Sequence, residues 1–205
     1  MRSHGFMQDP EATGHHEWKD GGKGVLAYLA QRRLLYFPTR SDIDVSTRLA
    51  GTVGLEPWLD GAGRFIGWRA PHPDGAPVAR AVVLHGNAGT ALDRIYLRDV
   101  LQGPGLPRIE VLLLEYPGYG PRTGSPSQES IVAATVEAID LLGGEVPVFL
   151  VGGQDEVVFA DLGRALFEAY PGPKRMWEEQ GASHNTLRFR PGDPLWAEVW
   201  KFLGP

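Results

Sequence analysis

Apolar positions in this chain follow two rhythms, and their alternation predicts the elements. Short, nearly continuous apolar runs mark buried strands at Ala79 to Leu84, Glu110 to Glu115 and Pro147 to Val151. Two further strands are predicted at Arg64 to Arg69, bounded by Gly63 and Pro71, and at Lys174 to Glu179. Stripes of helical period fall between them. Gly24 to Phe37 carries Val25, Leu26, Tyr28, Leu29, Leu34 and Leu35 and stops before Pro38. Ala91 to about Gln102 follows Thr90 as a cap, with Asp93 three positions on, and ends at Gly103-Pro104-Gly105. Pro126 to about Leu142 starts from Ser125 and Gln128, a capping-box spacing, and stops at Gly143-Gly144. Ala160 to Tyr170 closes at Pro171-Gly172-Pro173, and Asp193 caps a last helix striped with Leu195, Trp196, Val199, Trp200 and Leu203.

Strands that alternate with helices of ten or more residues predict an α/β class with a mostly parallel sheet and helices on both faces. Pro73-Asp74-Gly75 reads as a hairpin turn and suggests an antiparallel strand at one edge. Residues 1–22 are polar and aperiodic and are expected to be a disordered lead-in, with 23–205 as a single domain.

Composition narrows the function classes. The chain has 205 residues, enough for one full core, and a formal net charge of −5, which favours neither nucleic acid nor an anionic membrane. It has no cysteine, so disulfides, thiolate metal sites and a cysteine nucleophile are excluded. Its six histidines are scattered, and no metal or other cofactor is expected. No apolar stretch approaches the roughly 20 residues of a spanning helix, and no signal peptide is visible, so a cytoplasmic location is the expectation.

Three loops sit where such sheets place their chemistry, beyond the carboxyl ends of strands. His85-Gly86-Asn87-Ala88-Gly89 offers small residues and backbone N–H groups that could stabilise an oxyanion, with Asn87 as donor. The plainer alternative is a tight turn in which His85 satisfies local hydrogen bonds. Asp155, behind Gly152-Gly153, could orient an imidazolium or simply cap the next segment. His184 could be a general base, though a lone loop histidine is more often without a role. A helix and a strand separate these two residues, and as a pair they are more specific than either alone.

At these residues the chain resembles the α/β-hydrolase superfamily, in the branch of small serine hydrolases with an HGNA turn, a PGYG turn and a G-x-D…G-x-x-H-N tail. The matching stretches are His85-Gly86-Asn87-Ala88, Pro117-Gly118-Tyr119-Gly120, Gly153-Gln154-Asp155 and Gly181-Ala182-Ser183-His184-Asn185. Arg33 to Arg40, with Tyr36-Phe37-Pro38-Thr39, is similar to that branch's leading segment, and the resemblance covers roughly residues 24 to 203. It implies hydrolysis of an ester or thioester of a small acyl substrate, with Asp155 as acid, His184 as base and the Asn87–Ala88 turn as oxyanion hole.

One part of that pattern is missing. No Ser or Cys lies between Ile131 and Ala182, where a G-x-S-x-G elbow belongs, and only Gly143 to Val146 separate Leu142 from Pro147. A parallel crossover alone needs about a dozen residues, so the elbow, its neighbouring strands and the lid are absent as a block. Ser125, Ser127 and Ser130 are explained by the helix start, and Ser183 adjoins His184 too closely to face it. Weak activity or none is therefore expected. A non-catalytic binding protein on the same scaffold is the alternative, and an exposed sheet edge would favour self-association. Gly118, Gly120 and Gly124 faintly suggest a nucleotide loop, but residues 121 to 125, including Pro121, separate them from the next helix.

Overall fold

The computed structural model describes residues 35–143, 148–152, 160–183, 186 and 194–203, all within one compact unit that begins at Leu35. The expected lead-in, the domain boundary at 22 and residues 24–34 of the helix expected over 24–37 lie outside the described residues; Phe37, expected to end that helix, instead pairs as a strand. The elements are β1 (Phe37–Pro38), α1 (Ile43–Thr52), β2 (Glu56–Leu59), β3 (Phe65–Ala70), β4 (Ala79–Leu84), β5 (Ala88–Gly89), a 3₁₀ turn (Ala91–Arg94), α2 (Tyr96–Leu101), β6 (Ile109–Leu114), α3 (Gln128–Asp140), β7 (Val148–Gly152), α4 (Ala160–Ala169), β8 (Arg175–Glu179) and α5 (Pro194–Leu203). The class is mixed α/β.

The four-stranded sheet has the order β2-β3-β6-β4. β6 is parallel to β4, while β3 is antiparallel to both β2 and β6. The sheet is thus less parallel than the sequence pattern predicts. The hairpin is β2–β3, closed by the turn at Asp60 to Gly63; the 73–75 turn instead leads from β3 to β4, with β6 inserted between them. β7 and β8 form a separate parallel pair, and β1 pairs β5 over two residues. Among the described residues, β4 is hydrogen-bonded along one edge only.

β6 explains why the sheet is covered on both faces. All six of its residues are buried, and successive side chains point to opposite sides. Val111 and Leu113 join Trp68, Ala70, Ala91, Leu101 and Val199 on one face; Leu112 and Leu114 join Trp58, Ile66 and Ala138 on the other. Each such leucine contributes about 1.5–3 kcal/mol by leaving water. Glu110 shares this strand because Arg69 and Arg80 reach it from the flanking strands, Nε to carboxylate at 3.0 and 2.8 Å.

Three helix starts differ from the sequence pattern. α3 is capped by Ser127 rather than Ser125: Ser127 Oγ accepts the Ser130 N–H at 3.1 Å while Ser130 Oγ accepts the Ser127 N–H at 2.9 Å. The segment after Thr90 is a 3₁₀ turn followed by a short helix, and the Asp93 carboxylate accepts the Thr90 N–H at 2.7 Å. α1, like β2, does not emerge from the apolar pattern at all. Its cap is Asp42, whose Oδ1 accepts the N–H groups of Asp44 and Val45. Its large apolar residues Val45 and Leu49 are more than half exposed, while Ser46 and Ala50 face inward.

The β2–β3 hairpin carries a pH dependence. Asp60 Oδ1 accepts the backbone N–H groups of Ala62 and Arg64 at 2.9 and 2.8 Å, and Oδ2 accepts Arg64 Nε at 2.6 Å. The Arg64 N–H, then its guanidinium and the Ala62 N–H, hold the Asp60 carboxyl below the usual carboxylate range against the opposing effect of burial. A depressed carboxyl stabilises the fold above its unfolded value, near about pH 4, and that contribution disappears as pH falls through the folded value. Asp60→Asn is therefore expected to be less stable than wild type at neutral pH, with the gap in urea midpoint closing below about pH 4. A gap that stays constant across that range would refute the linkage.

Candidate functional site

The carboxyl ends of β4 and β6 lie side by side, since Leu84 pairs with Leu114, and the two turns that leave them meet. His85 directly follows β4 and is buried. Its Nδ1 lies 2.8 Å from Gly86 O, and because a carbonyl can only accept, Nδ1 carries the proton. Nε2 then accepts the Tyr116 N–H at 3.1 Å. The ring also stacks on Tyr116 and meets Tyr119 edge-on, with centroids 4.0 and 4.9 Å away. The plainer reading of His85 holds: it is a core histidine that pins the turn.

Asn87 is held on three sides. Its carbonyl accepts the Phe37 N–H and the Tyr119 hydroxyl, both at 2.8 Å, and its side-chain amide donates to Leu35 O at 3.2 Å. Its own backbone N–H has no hydrogen-bond partner among the described residues. Ala88, exposed, belongs to β5 opposite Phe37. The leading segment thus runs along both turns: Arg40 bridges to Gly120 and donates to Gly124 O at 3.0 Å.

The PGYG turn is built inward. Gly118 has φ +90°, and an added Cβ would lie 2.8 Å from Pro126 Cδ; at Gly120 it would lie 2.3 Å from the Glu115 carboxylate. These glycines accommodate the protein's own side chains, and seven residues separate Gly120 from the first residue of α3. That removes the nucleotide-loop reading. Burial, opposed by a backbone hydrogen bond from Phe37, pushes the Tyr119 hydroxyl up to about 12, and burial raises Tyr116 further, so both stay neutral.

Asp155 and His184 lie outside the described residues. The strands that precede them are parallel neighbours in register, Val148 opposite Arg175 through Gly152 opposite Glu179, so the segments that carry them leave from adjacent strand ends. Five of the six described serines have hydroxyls engaged locally, Ser125 being the exception. Ser127 and Ser130 cap α3, Ser46 donates to Ser41, and Ser183 Oγ lies 3.1 Å from Thr186 Oγ1.

One residue of the site escapes the sequence reading. Glu115, taken there as the end of a strand, is fully buried, with Oε1 3.2 Å from His85 Nε2 and both carboxylate oxygens within 3.2 Å of the Ala91 N–H. A charge closing the four-residue apolar run Val111 to Leu114, directly before Tyr-Pro-Gly, was the available signal. Among the described residues no three side chains of metal-binding type cluster.

Two uncharacterized proteins of Mycobacterium tuberculosis, from strains CDC 1551 and H37Rv, are each 35% identical to this chain over 129 residues. That stretch is 61% of this chain and 44% of each relative. The lysophosphatidylserine lipase ABHD12 of Xenopus tropicalis is 29% identical over 123 residues, 57% of this chain and 30% of the lipase. The chain spans less than half the length of the curated relatives it matches. No protein-family model matches it, and no solved structure does. The likeness to an α/β-hydrolase lipase is distant and partial. No described helix is long and apolar enough to cross a membrane.

Proposed function

We propose that this chain carries the acyl-binding part of an α/β-hydrolase site, of the type that hydrolyses esters or thioesters, without the serine that would form an acyl-enzyme. Asn87 is the oxyanion donor through its backbone N–H, next to Ala88. Asp155 and His184 are the retained acid and base. The observation that carries this reading is the Asn87 N–H, left unpaired among the described residues while the carbonyl of the same residue accepts two hydrogen bonds and its side chain donates one. An N–H so fixed at a strand end is a preorganised donor for a developing or resting negative oxygen. The partial likeness to a lipase supports the substrate class.

The nucleophile is a separate matter. Seven residues, 141 to 147, join α3 to β7, too few for a strand, an elbow and a helix. The chain is therefore expected to hold an acyl carbonyl or carboxylate and to turn it over weakly or not at all, which leaves a binding role as the second reading. A fluorophosphonate probe tests the first. No covalent labelling of the intact protein is expected by mass spectrometry. Stoichiometric labelling that His184→Ala abolishes would show a working serine and overturn the proposal.

A further inference from the structure

We propose that Glu115 is a positioning residue for the oxyanion turn; the inference rests on the acyl-site reading above. Five residues, 86 to 90, form the turn that carries Asn87, and Glu115 spans it, packed against His85 at one end and hydrogen-bonded to Ala91 at the other. On the β4 side its Oε1 lies 3.2 Å from His85 Nε2. On the helix side its two oxygens take the Ala91 N–H, at 3.1 and 3.2 Å. The main chain of Glu115 is fixed as firmly. Its N–H donates to Ile66 O at 3.0 Å, and its carbonyl accepts Arg122 Nη1 at 2.7 Å. Gly120, at φ +48°, leaves the space the carboxylate fills.

A carboxylate in this place is a poor choice for stability alone. It follows the apolar run of β6, where a leucine of similar volume would pack without desolvating a charge. Apolar replacement of buried polar pairs is often neutral or stabilising. What a leucine cannot do is accept the Ala91 N–H. Without that bond the helix-side end of the turn loses its tie to β6, and the anchors on Asn87, the pairing of Ala88 and Gly89 with β1 and the Asp93 contact to Thr90 must hold it alone. The direction of the Asn87 N–H is then less tightly fixed. Glu115 touches no substrate in this scheme; it acts through the turn.

The test uses the full chain with octanoate as the probe, a carboxylate that places an anionic oxygen where an acyl oxyanion would sit. Glu115→Leu is expected to fold yet to bind octanoate about tenfold more weakly by titration calorimetry. Its amide exchange should rise in residues 86–91 and stay unchanged in 43–59. Glu115→Gln retains an acceptor for the Ala91 N–H at the same reach, so it should restore both readouts. Wild-type binding and turn exchange that Glu115→Leu leaves intact would overturn the inference alone. A wild type that does not bind octanoate would sink the acyl-site reading and the inference with it. If Glu115→Leu does not fold, Asp and Gln decide: Glu115→Asp keeps the charge but loses one methylene of reach. It should lose the affinity that Gln keeps, and equal affinities would overturn the proposal.

Discussion

Gly67→Ala is expected to destabilise the protein by about 3 kcal/mol, at the upper end for overpacking a core, and to lower its urea midpoint accordingly. Gly67 lies in the middle of β3, opposite Trp58 on one side and Leu114 on the other. A Cβ there would stand 2.2 Å from Leu113 O, with Leu114 Cα at 3.1 Å and the Glu115 N at 3.2 Å. All three are backbone atoms, so no rotamer change relieves the contact and β3 must move off β6. That breaks the junction where the Glu115 N–H continues the pairing onto Ile66 O, and it separates Trp68 and Leu113, both fully buried in one core. A domain of this size has roughly 5–15 kcal/mol of total stability, so the change is a large share of it. Equilibrium unfolding followed by tryptophan fluorescence measures it directly. A variant within 0.5 kcal/mol of wild type, about the spread of neutral surface changes, would show that the close approach of β3 and β6 is not real.

Hydrolysis of p-nitrophenyl butyrate by this chain is expected to fall about a millionfold below a complete triad enzyme. On the proposed reading His184 has no hydroxyl to deprotonate and the covalent route is closed. What would remain is the proposed oxyanion donor and substrate binding, worth roughly 10³–10⁴ over water in enzymes stripped of their triad. That residue of activity should survive fluorophosphonate treatment. It should also be unchanged, within about twofold, by alanine at Ser125, Ser127, Ser130 or Ser183, because none is required as a nucleophile. Ser127 and Ser130 are committed to the α3 cap and Ser183 to Thr186, which makes a hidden serine mechanism unnecessary. Loss of all turnover in any one of these variants, with folding intact, would identify the missing nucleophile and reverse the conclusion.

The contrast between elements shows what a sequence pattern carries. β6, β4, β7, β8, α4 and α5 are legible because continuous apolar runs and helical stripes mark where they fall. α1 is not, since its large side chains face outward and its small ones pack inward, the reverse of the rule used to find helices. β2 escapes because Pro57 demotes the run, although at a sheet edge the missing N–H costs nothing. The sequence pattern places the hairpin at a different turn for a related reason. Pro73-Asp74-Gly75 has the right chemistry, but a turn motif does not report which strand its successor will pair with.

The sequence alone determined β3, β4 and β6 of the four-stranded sheet, the turn that holds Asn87 and the absence of room for a nucleophile elbow, because these depend on local chemistry and on chain length. Tertiary structure decided the strand order that places β6 between β3 and β4, and the clasp of Glu115 on His85 and Ala91. That clasp joins residues 24 and 30 positions apart, and no local rule relates them. Hydrogen bonds of this kind exist only after the sheet has brought two strand ends together and excluded water from between them.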